Sequence, residues 1–595
     1  MATQKPTGTT RPTRPDTVAD HNGASAEVPP PDLTEGRATT GPFLSGGRVW
    51  LADPTAPEWR KLDPRPLPEW VTGFRDHQID AVEEILEAFN AGAQIVTLDA
   101  PTGTGKTLIA EMVRRATARR AIYTCHSLGL QDQMVRDYPY ARVLKGRANY
   151  PTQTAPYPNI TCADCTRTGT DTPCMWCPDP EACGYRTARA QALASPLVTT
   201  NTSYLLHETL SPQSGLRGRD LTIIDETDTL ETTLTGVIEY TITPGMARQL
   251  QVTIPPKGTH LTTITKWLSE TLDTAIIKHR ARINGTGIDA LRARRRYTQL
   301  LAETRRVAAE LATPDTPGTP NTPSTKWVRD NRDGLTLKPV TPAPWGEERI
   351  WQHSPRHLLM SGTIISAEQL AVDLGIPDDT QRVDITVPMT FPIANRPIHA
   401  IPIANMTHRE RDTAWPNMVN GIRAVANRHP NVKILVHTVS YQLAQHLHDQ
   451  LTDLPRPTYT YQTAADRDPT VETYRASTNG ILFAASVDRG FDFPHDDTRV
   501  VIVAKIPYPN LGDPITAQRT HSAGGQTWFN TQTVRSLVQM TGRAVRSADD
   551  WAETYILDAQ FYRKLLKPPA RQLLPRWWVD ALNTTTTPRD LLGQA

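Results

Sequence analysis

Eight consecutive residues, Ala100-Pro101-Thr102-Gly103-Thr104-Gly105-Lys106-Thr107, restrict what this chain can fold into more than any other stretch. The apolar run 95–100 predicts a buried strand, and the spacing of Leu108, Ile109, Met112, Val113 and Ala116 predicts an amphipathic helix over 107–120. Strand, glycine-bearing loop and helix in that order make a phosphate cradle. Gly103 and Gly105 let the backbone bend so that successive N–H groups and the helix N-terminus face phosphate oxygens. Lys106 then reaches the β/γ-phosphates as a point charge, and the Thr107 hydroxyl can ligate a magnesium ion. The first position is Ala100, where the general pattern has glycine. An ordinary glycine turn ahead of a helix rarely produces Gly-Lys-Thr at this spacing after a strand, so ATP with Mg²⁺ is the expected ligand.

The next elements alternate. A helix opening at 74–78 carries Ile79, Val82, Ile85, Leu86 and Phe89 at helical spacing and brings Gln78 just ahead of the cradle strand. Gln78 is there either to read an adenine edge or as a solvated first-turn residue; spacing alone does not separate the two. Beyond the cradle helix, 121–125 reads as a strand and 126–133 opens a helix, an alternation that implies a parallel sheet. Residues 221–228 then place Asp225 and Glu226 at the end of an apolar strand. Downstream of a phosphate cradle this pair has a specific use, with Asp225 holding magnesium and Glu226 polarising the attacking water. Strands are expected again at 433–437, 480–485 and 499–504, which gives a second doubly wound domain without a cradle of its own. On a helix of this domain Arg543 and Arg546 stand three residues apart and share a face. The fold class is therefore α/β.

A length of 595 residues allows about three to five domains. The net charge of +2 excludes neither a nucleic-acid ligand nor its absence, because a basic channel can sit within a balanced total. No apolar run reaches the ~20 residues of a membrane span, and no secretory leader is seen, so a cytoplasmic protein with no membrane partner is expected. Residues 1–45, rich in Thr, Pro, Gly and Ala, read as a disordered tail. From 241 to 345 the pattern is helical and polar, broken by a Pro- and Thr-rich loop at 313–320. One helix there carries Arg292, Arg294, Arg295, Arg296, Arg305 and Arg306, either a track for a phosphate backbone or a solvated face.

The ordered motifs resemble those of the superfamily 2 helicases, and within them the DinG/XPD-like group. APTGTGKT is similar to motif I, TCHSLGLQDQ to motif Ia, DETD to the DEAH box, MSGTI to motif III, DRGFDFP to motif V and QMTGRAVR to motif VI. The resemblance runs from about Phe74 to the C-terminus. It implies two RecA-like motor domains, with a cysteine-rich iron–sulfur-type insertion and a helical, arch-like insertion in the first. The expected organisation is 46–144, 191–240 and 346–394 for the first motor, 145–190 and 241–345 for its insertions, and 395–595 for the second motor. It adds Gly490, Asp492 and Gln539 to the nucleotide contacts. It further implies a monomeric DNA helicase moving 5′→3′ on single-stranded DNA and opening forked DNA. A DNA-stimulated translocase that separates no strands is the alternative, and a binding module with a dead motor is disfavoured because Lys106, Asp225, Glu226 and Arg546 are all present. Four positions depart from the group: Asp228 replaces its usual His, Arg489 its Glu, Gly362 its Ala, and Thr152 its first cluster cysteine.

Five of the six cysteines fall between Cys162 and Cys183, spaced Cys162-x2-Cys165-x8-Cys174-x2-Cys177-x5-Cys183. In a reducing compartment such a run points to metal more than to disulfides. Two C-x2-C pairs suit a tetrahedral zinc, whereas the position of the insertion and its Cys-Gly-Tyr end resemble the family's 4Fe–4S segment. For the cluster, Cys165, Cys174, Cys177 and Cys183 are the expected ligands, with Cys162 as the alternate.

Overall fold

The computed structural model describes residues 42–45, 48–51, 68, 71, 74–117, 120–126, 128–153, 160–165, 179, 182–208, 215–285, 287–313, 326–330, 332–485, 491 and 493–593. Two seven-stranded sheets dominate. In the first, the spatial order is Arg382–Thr386, Ile95–Asp99, His357–Ser361, Leu221–Ile224, Ala121–Cys125, Leu197–Asn201 and Ala141–Val143. Every pairing is parallel. The central strands are short, continuous apolar runs buried along their length, which a parallel sheet covered on both faces requires. Helix Asp76–Asn90 packs Val82, Ile85 and Phe89 into this core, and helix Lys106–Thr117 adds Ile109, Met112 and Val113.

Parallel strands put all their C-terminal ends along one edge of a sheet, where ligands of such folds bind. The phosphate cradle, the Ser361–Ile364 turn and the Asp225–Asp228 turn leave three neighbouring strands on that edge. The chain enters the second sheet at Ile398–Ala404. Its order is Thr458–Thr460, Ile481–Ala484, Ile434–His437, Val500–Val503, Glu553–Asp558, Ile398–Ala404 and Leu582–Asn583, again all parallel. Helices Arg411–Arg428 and Tyr441–Gln450 cover one face through Met418, Ile422, Leu443 and Leu447. Two doubly wound domains are thus present.

Three expectations need correction. Pro42–Ser45, assigned to the tail, pairs antiparallel with Arg48–Leu51; residues 1–41 lie outside the described residues. The 241–345 stretch contains helices Pro244–Leu250, Asp273–Arg282 and Ile288–Ala312, but they rest on a three-stranded antiparallel sheet of Tyr240–Ile242, Leu335–Pro339 and Trp327–Arg329. Those strands are three to five residues long, too short for a period of two to stand out. Residues 314–320 of the Pro- and Thr-rich loop lie outside the described residues. Finally, helix Gly525–Thr541 stops before Arg543 and Arg546, with Gly542 at its C-cap. Both arginines therefore sit in the irregular segment that follows, where Asp550 Oδ2 accepts the Arg546 backbone N–H at 3.1 Å.

Five of the six arginines singled out on helix Ile288–Ala312 have protein partners among the described residues. Arg292 grips the Asp164 carboxylate with two hydrogen bonds of 2.5 and 2.9 Å. Arg295 donates to the carbonyls of Ala163 and Cys165. Arg305 pairs with Asp273 at 2.5 Å and Arg306 with Glu310 at 2.7 Å. The helix is thereby tied to the 3₁₀ turn Cys162–Asp164 of the cysteine-rich segment. Among the described residues no helix is long and apolar enough to cross a membrane.

Candidate active site

Gly103 and Gly105 take φ values of +84° and +85°, the left-handed region that glycine enters without strain. Space is limiting too: a Cβ on Gly105 would sit 2.2 Å from Gln78 Nε2, and one on Gly103 would sit 2.3 Å from the Phe391 ring. Gln78 is buried, donates from Nε2 to Thr104 O at 2.9 Å, and accepts the Arg75 N–H at Oε1, 3.0 Å away. Arg75 Nη1 donates to Gly103 O at 2.9 Å, and His77 contacts Thr104 O at 3.1 Å. Gln78 is thus not solvated, and it braces the cradle from behind. Thr104 closes the loop on itself by donating to Pro101 O at 2.8 Å. Lys106 Nζ donates to Ala100 O at 3.0 Å, so its ammonium lies across the mouth of the loop.

Asp225 is held by a residue that sequence reasoning did not find. Tyr123 Oη donates to Asp225 Oδ2 at 2.8 Å. The two meet because their strands are parallel neighbours, with Tyr123 opposite Ile223; nothing in a linear reading places them side by side. Burial and the adjoining carboxylate push the Tyr123 phenol well above its ordinary range, so it stays a donor at any working pH. Glu226 adopts φ 52° and ψ 43°, left-handed geometry that costs a non-glycine residue roughly 1–3 kcal/mol. Such strain persists where the surroundings over-determine a side chain's direction.

Asp228 is the joint of the site. Ser361 Oγ donates to its Oδ1 at 2.6 Å from the neighbouring strand, and Gln539 Nε2 donates to its Oδ2 at 2.5 Å from the second domain. Gln539 also donates to Thr363 Oγ1 at 3.0 Å. One buried carboxylate thus ties the cradle domain's Asp225-Glu226 turn, the Ser361–Ile364 turn and the second domain's helix together. Hydrogen bonds to a buried charge contribute about 1.5–3 kcal/mol each. Gly362 fits the same arrangement, since a Cβ there would come within 3.2 Å of Ala100 O. Asp99, immediately before the cradle, is half-buried, and desolvation pushes its carboxyl up to about 6, against the N–H groups of Ile364 and Ile365 and the charge of Lys106.

A cavity of about 620 Å³ lies between the C-terminal edge of the first sheet and the second motor, which meets it with Ile398 and Thr554 at the starts of their strands, and Lys106, Asp225, Glu226, Gln539, Arg543 and Arg546 all reach its wall. Arg543 Nη1 donates to Phe491 O at 2.9 Å. Gly490 and Asp492 lie outside the described residues, as do Cys174 and Cys177. The donor set suits a nucleoside triphosphate with magnesium: an ammonium and two guanidiniums for phosphate charge, and Thr107 and Asp225 for the ion.

In the cysteine-rich segment, Cys162 and Cys183 place their sulfurs 4.0 Å apart, and Cys165 packs against the same apolar cluster. Among the described residues no three His, Cys, Asp or Glu side chains gather closely enough to hold an ion.

Family models match each motor in turn. One described as Type III restriction enzyme, res subunit, matches residues 72–228, and one described as Helicase C-terminal domain matches 422–581. Together with the relatives below, these matches support the DinG/XPD-like superfamily 2 helicase family for this chain. It is 26% identical over 183 residues to the ATP-dependent DNA helicase CHL1 of Saccharomyces cerevisiae, covering 26% of this chain and 21% of that protein. It is 26% identical over 250 residues to the Regulator of telomere elongation helicase 1 homolog of Drosophila melanogaster, covering 36% of this chain and 25% of that one. The chain thus spans about a quarter of the length of these curated relatives. A solved XPD helicase superposes with a TM-score of 0.58 at 15% identity, over 87% of this chain and all of that one. S. tokodaii Xpd4 does so with 0.51 at 14%, over 86% of this chain and all of that one. The likeness to these structures is one of fold, and it extends over both motors of this helicase-family chain.

Proposed function

We propose that this protein is an ATP-driven motor that acts as a monomer, moves 5′→3′ on single-stranded DNA and unwinds forked duplex. The observation that carries the reading is the hydrogen bond of Gln539 to Asp228 across the cleft. It joins the second motor to the turn that bears Asp225 and Glu226, so closure of the cleft and completion of the catalytic site become one event. ATP bound by Lys106, Thr107 and Asp225 lacks charge compensation on its far side, and Arg543 and Arg546 supply it on closure. Release of phosphate removes the charge that favours closure. Alternate closing and opening against a gripped strand gives stepping. Direction follows from the family alone. On duplexes with one single-stranded tail, strands separate when the tail is 5′ and stay paired when it is 3′. Exclusive use of a 3′ tail would overturn the direction, and DNA-stimulated hydrolysis without strand separation on either substrate would make the protein a translocase.

Residues 145–190 are assigned as a metal-binding insertion and 241–345 as an arch-like one. A 4Fe–4S cluster is the proposed group, and when bound it supplies a rigid cross-link to a segment with few apolar residues. Cys165, Cys174, Cys177 and Cys183 are the proposed ligands, with Cys162, whose sulfur lies 4.0 Å from that of Cys183, as the alternate. Zinc is the second reading, favoured by the same distance: thiolates about 2.3 Å from one tetrahedral ion stand about 3.8 Å apart. Anaerobically purified protein is expected to be brown and to contain about four irons per chain. A colourless protein with about one zinc per chain would replace the cluster with an ion.

A further inference from the structure

The cleft between the motors has a second contact, away from the cavity. Trp528, Gln532, Arg535 and Gln539 follow the spacing i, i+4, i+7, i+11 along helix Gly525–Thr541, which puts them on one face. All four reach the first motor. Gln539 meets Asp228, and Arg535 donates to the carbonyls of Thr363 and Ile364, each at 3.3 Å. Gln532 Nε2 and Trp528 Nε1 donate to Glu231 at 2.9 and 3.3 Å. Glu231 lies in the first turn of helix Leu230–Ile238, three residues after Asp228. From the preceding helix, Pro514–His521, Arg519 reaches the same place. Its Nη1 pairs with Glu231 Oε1, its Nη2 donates to Asp373 Oδ1 at 2.6 Å, and its guanidinium lies over the Trp528 ring at 4.4 Å.

Arg519, Glu231 and Asp373 are all at least nine-tenths buried. Both acids belong to the first motor and the arginine to the second. Gln369 Nε2 also donates to Asp373 Oδ1, at 2.8 Å. Burial and the neighbouring Glu231 push the Asp373 carboxyl up to about 7, with Arg519 and Arg535 acting the other way. Two acids this close tolerate burial only with a cation between them, and the planar fork of arginine reaches both at once where a lysine ammonium reaches one.

We propose that Arg519 is a positioning residue for ATP hydrolysis: by bridging Glu231 and Asp373 it sets the register of helix Gly525–Thr541, and so the placement of Gln539, Arg543 and Arg546 over the triphosphate site. Arg519 is about 20 residues before Gln539 and lines no part of the cavity. The contact acts through geometry, and misplacement of a catalytic group by about 1 Å costs up to ~10²-fold in rate. This rests on the ATP-hydrolysis reading above.

The test combines steady-state kinetics with the distance between dyes placed one on each motor. Arg519→Ala is expected to lower kcat by about tenfold to a hundredfold while KM for ATP stays within about twofold, and to broaden the distance distribution. Arg519→Lys falls between Arg519→Ala and wild type. Glu231→Gln lowers kcat in the same direction, and combining it with Arg519→Ala adds little, because both act through one contact. Each motor has its own core, so circular dichroism of the variants matches wild type. Unchanged kcat and unchanged distances in Arg519→Ala would overturn the proposal, as would full additivity of the two changes. A wild-type protein that does not hydrolyse ATP yet shows the Arg519-dependent distance would instead count against the ATPase reading.

Discussion

A Lys106→Ala protein is expected to fold as wild type does and to lose ATP turnover by at least about a hundredfold. The lysine side chain contributes a charge at the mouth of the cradle and no part of either core: its ammonium rests on Ala100 O, and the buried face of its helix is built from Leu108, Ile109, Met112 and Val113. Removing it leaves Gly103 and Gly105 in place, because the loop is braced from behind by Arg75, His77 and Gln78. What disappears is the positive charge on the β/γ-phosphates. Phosphate release at saturating ATP, with circular dichroism as the check on folding, measures the effect. Near-wild-type turnover in a folded variant would contradict the motor reading.

Arg546→Ala is expected to lose about 10³–10⁵ in turnover and to keep ATP affinity within a fewfold of wild type, because its partner is charge that develops in the transition state. The segment that carries it is anchored through the backbone. Its backbone N–H is fixed by Asp550, which Arg499 grips in turn at 2.6 Å. Equilibrium binding of a fluorescent, slowly hydrolysed ATP analogue separates the two effects. A loss of affinity as large as the loss of turnover would show that Arg546 binds ground-state ATP and is not a finger.

Legibility followed how local each feature is. The cradle could be read because its strand, glycines, lysine and helix are contiguous, and Asp225-Glu226 because it ends an apolar strand. Both sheets followed from alternation, since parallel strands need a long crossover between them. Residues whose role depends on which strands are neighbours were not legible. Tyr123 reaches Asp225, and Ser361 reaches Asp228, only because their strands pair with or flank the strand of the acids. Arg519 meets Glu231 and Asp373 across 288 and 146 residues of chain. Gln78 was ambiguous because its burial depends on the cradle folding over it. The sequence leaves the arginines of 288–312 between a phosphate track and a solvated face, because the acids that pair with Arg292 and Arg305, Asp164 and Asp273, lie elsewhere in the chain. The helix before Arg543 ends earlier than the i,i+3 spacing of the arginines suggests, because Gly542 caps it.

The departure at Asp228 is where sequence and structure inform each other most. A histidine there is usual in the group; this chain uses a carboxylate, and the structure gives each of its oxygens a donor, one from the same motor and one from the other. The contact between the motors at this position is therefore made by an acceptor of two hydrogen bonds at one joint.

The central claim, that ATP turnover is coupled to a DNA strand through closure of the two motors, is tested most directly by the steady-state ATP hydrolysis of the wild-type protein with and without single-stranded DNA, beside Lys106→Ala. The account expects slow turnover alone, stimulation of at least about tenfold by single-stranded DNA, and none with Lys106→Ala. Equal turnover with and without DNA, or DNA-stimulated turnover that survives Lys106→Ala, would contradict it.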